Sequence, residues 1–366
     1  MSKKATIDRP FLIITIILIV SGFFIFSSAS LGLLAKESSN YSNVAFSQTV
    51  LGLFLGSIAM LVASRMNYKI WRKYAFYILI ASVILNILVL FPQFGFEHAG
   101  ARRWFLLGPL SFQPAEFLKL GFIIYMAAWF ASVKDKVKTW RHGFLPFLIL
   151  IVGAGALLLS QPDTDNFILI VFTGMAMFIS AGGKWRYVFM LVLVGAIALS
   201  ILIFTRPYLM QRVTTFINPA ADAQGAGWQI QQSLIAIGSG GLFGSGFGQS
   251  IQKFTYLPEP VGDSVFSVAA EEFGFVGSVF LIFLFVIFAL RGLKLASLST
   301  DQFGRLLVVG IVIMIVSQAF INIGAMLGMI PLSGITLPFV SHGGTSLFFT
   351  LFEVGIVLSV SKTRES

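Results

Sequence analysis

The 366-residue chain is 57% hydrophobic and only 11% charged, with a net charge of +10 and no cysteine. A soluble domain averages about 25% charged residues, so the composition excludes an ordinary soluble enzyme and points to a chain whose solvent is mostly lipid. The basic excess, which on a soluble protein suggests nucleic acid, becomes a candidate topology signal. The absence of cysteine excludes a disulfide framework, a thiolate metal site and a cysteine nucleophile.

Charge-free runs mark the spans, since a helix needs roughly 20 apolar residues to cross the hydrocarbon. Arg9 to Lys36 encloses the first. Lys3, Lys4 and Arg9 before it resemble the start of a signal peptide, but the apolar run is too long for one, and a retained helix is expected. Further runs lie between Glu37 and Arg65, Lys73 and Glu97, and from Lys119 to Val133. Next come Gly143 to Pro162, Asn166 to Gly183 and Tyr187 to Thr205, and then a stretch following Asp263 up to Leu290 that carries only Glu271 and Glu272. The last run, Leu306 to Phe352, is charge-free over 47 residues, and the Met329-Ile-Pro-Leu-Ser-Gly cluster with Pro338 divides it in two. The expected fold is therefore an all-α polytopic membrane protein of ten helices, one domain over residues 1–366, with a large extracytoplasmic loop over 206–262 between helices 7 and 8.

With the N-terminus in the cytoplasm and ten alternating spans, 18 of the 25 basic residues fall on the cytoplasmic side. Six fall outside, among them Arg102, Arg103 and Lys253, and Lys119 lies within a span. That bias places both termini inside. Most acidic residues sort to the outer side, which suggests that the working face points outward.

Few ionisable residues are left to explain. Asp263 follows Pro258, Pro260 and Gly262 where a long helix starts; it reads either as a helix N-cap or as a general base at the mouth of a cavity. Glu271 and Glu272 lie roughly 12–13 Å deeper along that helix. Carboxylates there must face protein, water or a cation, with Lys119 or Arg102 as candidate partners. Glu116 and Lys119, at i,i+3 after Gln113-Pro114, share a helix face and form either a functional pair or a helix-locking ion pair. Glu353 is also intramembrane. Arg102, Arg103 and Trp104 at the outer interface suit anionic head groups or a diphosphate, or an aromatic anchor. Asp163 and Asp165 read as a helix cap rather than a metal-binding D-x-D. Gly238–Gly248 reads as close backbone packing or a re-entrant turn, not a dinucleotide site. His98, His142 and His342 lack metal-ligand spacing.

Several of these segments together resemble the SEDS family (shape, elongation, division and sporulation) of polytopic peptidoglycan glycosyltransferases, typified by FtsW and RodA. The resemblance is carried by Arg102-Arg-Trp-Phe, Gln113-Pro-Ala-Glu-Phe-Leu-Lys119, Gln161-Pro-Asp163, Gly225-Ala-Gly-Trp-Gln and Gln232-Ser-Leu-Ile-Ala-Ile-Gly. It continues through Leu257-Pro-Glu to Asp263, Ala270-Glu-Glu, Asn322-Ile-Gly and Leu337-Pro-Phe-Val-Ser-His-Gly-Gly-Thr-Ser346. Gln232-Ser-Leu and Gln252-Lys253 look closer to FtsW, the division branch. The resemblance implies a multi-pass protein of the bacterial cytoplasmic membrane that polymerises lipid II at its outer face and releases undecaprenyl diphosphate. It implies a class B penicillin-binding protein as partner, alongside other division or elongation proteins. Asp263 then matches the family's catalytic aspartate. The implied substrate-binding set is Arg102, Trp104, Glu116, Lys119, Lys253, Glu271, Glu272, Ser341 and His342. No cofactor is evident, and a divalent cation stays open. Two positions depart from the family pattern: Val261-Gly262 replace His-Thr before the aspartate, and His342 replaces Tyr. The competing readings are a transporter or flippase of lipid-linked precursors, and a non-catalytic scaffold.

Overall fold

A computed structural model describes residues 6–36, 38–98, 101–108, 110–219 and 226–363. Of the residues singled out above, Lys3, Lys4, Glu37 and Gly225 lie outside the described residues, as do Gly100 and Asp222. Arg364 and Glu365 also lie outside them.

The ten expected spans are present. Among the described residues, nine helices are long and apolar enough to cross a membrane, and Thr164–Ser180 is a shorter apolar tenth. The first is α1 (Arg9–Lys36). The second span joins α2 (Ser38–Phe46), a π-helical stretch over Ser47–Leu55 and α3 (Gly56–Arg65). Then follow α4 (Lys69–Leu88), α5 (Pro114–Val133), α6 (Leu145–Ser160), α7 (Thr164–Ser180) and α8 (Trp185–Thr205). After the outer-loop helices α9 (Pro207–Ile217), α10 (Ala226–Ser239) and α11 (Gln252–Thr255) come the last three spans. These are α12 (Val265–Ser297), α13 (Gln302–Met326) and α14 (Gly344–Ser361). The helix starts follow local chemistry. Prolines open α5 and α9, and the Asp163 and Asp301 side chains cap α7 and α13.

α5, α13 and α14 form the interior, whereas α8 is almost wholly exposed to lipid. The backbone N–H of Asp8 donates to Ser361 Oγ, and Arg291 pairs with Asp8, so the start of α1 and the end of α14 meet at one end of the bundle. An even number of spans requires this. The basic loops at that end make it the cytoplasmic one.

One element was not expected. The outer segment after α4 is a three-stranded antiparallel sheet, β1 (Phe96–His98), β2 (Ala101–Leu107) and β3 (Leu110–Phe112), in the order β1-β2-β3. The sheet is a small addition to an otherwise helical fold. Along β2, the period of two sends Arg102 and Arg103 to opposite faces. Arg102 pairs with Glu97 on β1 at 2.8 Å. Thr345 at the start of α14 donates to Ser111 O on β3, which ties the sheet to the bundle at 2.5 Å.

α12 is two helices in line, broken at Gly274 (φ 65°, ψ −164°). The break frees the carbonyls of Glu271 and Glu272 and the N–H groups of Phe275 and Val276. The glycine-rich loop after α10 satisfies all four. Ser245 N and Gly246 N donate to Glu271 O and Glu272 O, both at 3.0 Å, and Phe275 N and Val276 N donate to Gly241 O and Leu242 O at 2.9 and 3.1 Å. The expectation of close backbone packing for this segment is borne out. Gly244 sits at φ +81°, and a Cβ there would lie 2.0 Å from Glu272 O. Gly244→Ala is therefore expected to cost roughly 1–3 kcal/mol from overpacking and backbone strain. Gly153→Ala, where an added Cβ meets nothing within 4 Å, should stay within about 0.5 kcal/mol. Thermal unfolding in detergent compares the two.

Candidate functional site

Asp263 ends a tight turn. Gly262 N and Ser264 N both donate to Glu259 O, and Glu259 itself is held at φ +44°. Ser264, not Asp263, is the N-cap of α12. The helix-cap alternative for Asp263 therefore fails, and among the described residues no ion pair holds its carboxyl, which meets Gln229 and its own backbone N–H.

Three successive carbonyls hold the turn in place. His342 N donates to Val261 O, Ser341 Oγ donates to Gly262 O at 2.7 Å, and Asn322 Nδ2 donates to Asp263 O at 2.8 Å. The same Asn322 amide donates to Ile335 O at 2.8 Å. Gln48, from the π-helical part of the second span, grips the other side of the same loop. It donates to Ser341 O at 3.1 Å and accepts from Gly343 N at 3.0 Å. Only the backbone of 261 and 262 takes part, which explains how Val261-Gly262 stand where the family pattern has His-Thr.

The Asp263 carboxyl is half-buried, and burial pushes its pKa up to about 6. Its own backbone N–H and Gln229 oppose the shift, while the carboxylates of Glu259 and Asp165 add to it. Asp165 is itself paired with Arg212 at 2.9 Å and accepts from Gly334 N. Burial pushes the His342 ring down to about 4, so it is neutral at neutral pH. It stacks on Phe26.

Ile335 belongs to the wall of a polar outer cavity of about 180 Å³. Arg103, Trp104, Gln113, Glu116, Asp163, Asn166, Gln318, Thr336 and Ser346 are among its lining residues. Arg103 donates to the carbonyls of Gln161 and Pro162, which fixes its guanidinium beside Asp163. Burial raises the pKa of Asp163 against the opposing pull of Arg103 and Asn166. A polar chain runs along the opposite wall. Lys119 donates to Glu116 at 2.8 Å and to Gln318 Oε1 at 3.0 Å, Gln318 donates to Thr336 O at 3.1 Å, and Thr336 donates to Ser346 Oγ at 3.3 Å. Glu353 of α14 lies within electrostatic reach of Lys119 and Glu116.

The structure thus brings Trp104 and Glu116 to the cavity, with Lys119 directly behind it. It separates the others. Arg102 turns outward to Glu97. Ser341 and His342 hold backbone rather than face a ligand. Lys253 is fully buried, with its ammonium on Glu272 at 2.5 Å and Ser28 at 2.8 Å. Glu271 accepts from Ser250 Oγ and from Ile251 N. Lys253, Glu271 and Glu272 are therefore engaged inside the protein, and none of them lines the cavity. The expected partners of the two glutamates, Lys119 and Arg102, are likewise replaced by Lys253 and the 250–252 backbone.

Sequence reasoning missed Gln48 and Gln318; it named Arg103 beside Arg102 as a phosphate ligand but left it out of the substrate-binding set, and it named Asn322 only as part of a motif. The three amides had a signal: an amide deep in an apolar span needs a partner as a charge does. Arg103 had one in the strand period. Among the described residues, no three or more His, Asp or Glu side chains converge as a metal site. The cavity does offer two carboxylates, Glu116 and Asp163, and Mg²⁺ commonly binds through one or two carboxylates plus substrate phosphates.

Residues 9–366 match the FtsW/RodA/SpoVE family, described as cell cycle proteins. Stage V sporulation protein E of Bacillus subtilis is 37% identical over 361 residues, covering 99% of this chain and 98% of that one. The probable peptidoglycan glycosyltransferase FtsW of Coxiella burnetii is 37% identical over 374 residues, covering 100% of both chains. Among solved structures, a chain of a peptidoglycan synthase complex that coordinates polymerization and crosslinking superposes with a TM-score of 0.78, at 29% identity and 98% coverage of both chains. The rod shape determining protein RodA of Thermus thermophilus superposes with a TM-score of 0.69 at 28% identity, again covering 98% of both chains.

Asn322→Leu strips two buried carbonyls of their shared donor, at about 1–3 kcal/mol for each group left unpaired. Hydrogen exchange should quicken in peptides covering 257–264 and 333–337 and stay unchanged in α6.

Proposed function

We propose how this chain works from one premise: it belongs to the FtsW/RodA/SpoVE family of cell cycle proteins. It is a multi-pass peptidoglycan glycosyltransferase of the bacterial inner membrane. Our reading of its mechanism centres on Asp263.

In this reading the donor is a glycan on undecaprenyl diphosphate and the acceptor is lipid II. A hydroxyl oxygen of the acceptor sugar attacks the anomeric carbon of the donor. The bond from that carbon to the diphosphate oxygen breaks, undecaprenyl diphosphate leaves, and the hydroxyl proton passes to the Asp263 carboxylate. A carboxylate with a pKa of about 6 is well matched to this, because a general base works best when its pKa lies near the operating pH. The observation that supports the assignment is the row of three held carbonyls, which fixes the turn one shared amide, Asn322, from cavity-lining Ile335 and leaves the Asp263 carboxyl with only neutral donors, Gln229 and its own N–H.

Arg103 is the cation that suits the departing diphosphate. Its guanidinium is fixed and cavity-lining, and a preorganised donor stabilises developing charge without reorganisation. Arg102 and Lys119, the cations expected from sequence, are engaged by Glu97 and Glu116. For the isoprenoid tail, the groove between α6, α7 and α8 offers about 350 Å³ lined almost entirely by apolar groups. Thr164, which lines its outer end and bonds Tyr208 at 2.8 Å, follows directly on cavity-lining Asp163. A divalent cation on Glu116 and Asp163 is compatible with this arrangement, and no step is routed through it.

The partner that this reading calls for is a class B penicillin-binding protein supplying the crosslinking step, together with other division or elongation proteins. Identities of 36% and 37% to proteins named FtsW, against 28% to RodA, support the FtsW side of the family.

Purified with its partner and given labelled lipid II, the wild-type chain should form glycan ladders. Asp263→Asn should cut the rate by about 10²–10⁴-fold, the usual worth of a general base. Wild-type ladders from this variant would end the assignment. A raised pKa means that the base is protonated below it, so kcat/KM should fall about tenfold per pH unit below about 6 and level off above. In the same assay Arg103→Ala should lose most activity while Arg102→Ala stays within about twofold, since an exposed ion pair contributes little.

A further inference from the structure

Outside the site, the most densely bonded charged cluster lies around Lys253. It is wholly buried, it joins three elements, and the mechanism above does not use it. Lys253 Nζ donates to Glu272 Oε1 and to Ser28 Oγ of α1, and Ser28 Oγ in turn donates to Glu272 Oε1 at 2.6 Å. The adjacent Glu271 takes Ser250 Oγ and Ile251 N.

These contacts fall on a particular piece of the molecule. The outer half of α12, Val265–Phe273, is cut from the rest of its helix by Gly274. Asp263 leads into one end of this half-helix, and Glu271 and Glu272 sit at the other. The i→i+4 bonds that would align it with the inner half of α12 are replaced by bonds to residues 241–246. Its angle to the bundle therefore depends on the grips at its two ends, the hold on the Asp263 turn and the contacts of Glu271 and Glu272. Lys253 ties the Glu272 end to α1. The same lysine is in α11, whose end is held by Trp228 Nε1 on Tyr256 O at 3.0 Å just before the turn that presents Asp263.

We propose that Lys253 is a positioning residue for Asp263: its bonds to Glu272 and Ser28 fix the tilt of the broken half-helix and so the location of the carboxyl. This rests on Asp263 being the base. From Gly274 to Asp263 is roughly 16 Å at 1.5 Å per residue. A tilt of about 5° about Gly274 therefore moves the carboxyl by about 1 Å, and such a misplacement costs up to ~10²-fold in rate. The loss belongs in kcat, because the apolar groove and the cavity wall that carries Arg103 are on other elements.

A second signature follows from the surroundings of the carboxyl. It is faced by Glu259 of its own turn, by Gln229 of α10 and by Asp165 at the start of α7, with Arg212 of α9 on Asp165. A loosened turn admits water, and the acidic limb of the rate profile moves to lower pH, toward an ordinary carboxylate.

The test is glycan polymerisation by the full chain with its partner, comparing Lys253→Met, Ser28→Ala and Asp263→Asn. Ser28→Ala removes one ligand of the lysine and leaves the ion pair intact. The expected result for Lys253→Met is a folded protein whose kcat drops about 10- to 100-fold, with KM within about twofold and the acidic limb displaced downward. Ser28→Ala should move the same quantities in the same direction by less. A folded Lys253→Met with wild-type kcat and limb, or with its loss in KM alone, overturns the proposal. If Lys253→Met does not fold, a Ser28→Ala protein with unchanged kcat and limb overturns it. An active Asp263→Asn removes the base itself. An inactive Asp263→Asn beside unaffected Lys253 and Ser28 variants removes only the positioning role.

Discussion

A helix interrupted inside a membrane must find new partners for its freed backbone groups, because the hydrocarbon offers none. The break in α12 at Gly274 is the point where this constraint shapes the protein. Two carbonyls and two N–H groups are released there, and the loop at 241–246 supplies one partner for each. That repair dictates Gly240 and Gly244, whose backbone approaches α12 more closely than a Cβ allows. It also draws residues 250–253 against Glu271 and Glu272. The chain returning from that contact forms the turn that ends in Asp263. The working carboxyl is thus placed by a defect in a helix and its mend.

The same scarcity of solvent governs the charges. Removing one partner of a buried ion pair costs about 3–5 kcal/mol, since the other is left uncompensated. Each deep pair here also joins elements remote in sequence. Lys253 and Glu272 link α11 and α12 to α1 through Ser28; Arg291 and Asp8 link α12 to the start of α1; Lys119 and Glu116 reach α13 through Gln318. Charges of this kind specify which helices meet. The site is built from what they leave over: a carboxyl whose backbone is held and whose side chain meets no cation among the described residues, and an arginine fixed by two carbonyls at the cavity wall.

The hold on residues 261–263 separates backbone from side-chain requirements. Ser341, His342 and Asn322 contact only carbonyl oxygens there. The side chains at 261 and 262 are free to vary as long as the turn closes, and residue 342 contributes its N–H whatever its ring. Burial leaves the His342 ring neutral at physiological pH, so it adds no charge beside the base.

Sequence alone determined the ten spans, their orientation and the short list of ionisable residues, because hydropathy and charge act locally and show in linear order. It also marked Asp163 as a cap and Gly238–Gly248 as a close-packed segment, both from rules of short range. It did not reveal the sheet at Phe96–Phe112, a short element with only turn residues to announce it. Nor did it tell which charges were spent on one another. Lys253 and Ser28 are 225 residues apart, Lys119 and Gln318 are 199 apart, and Asn322 and Asp263 are 59 apart. A lysine wholly satisfied inside the protein and one facing a substrate read the same in one dimension. Only the meeting of remote helices decided that Lys253 is sealed, that Arg103 rather than Arg102 faces the cavity, and that Asp263 is held by its backbone with its carboxyl left to act.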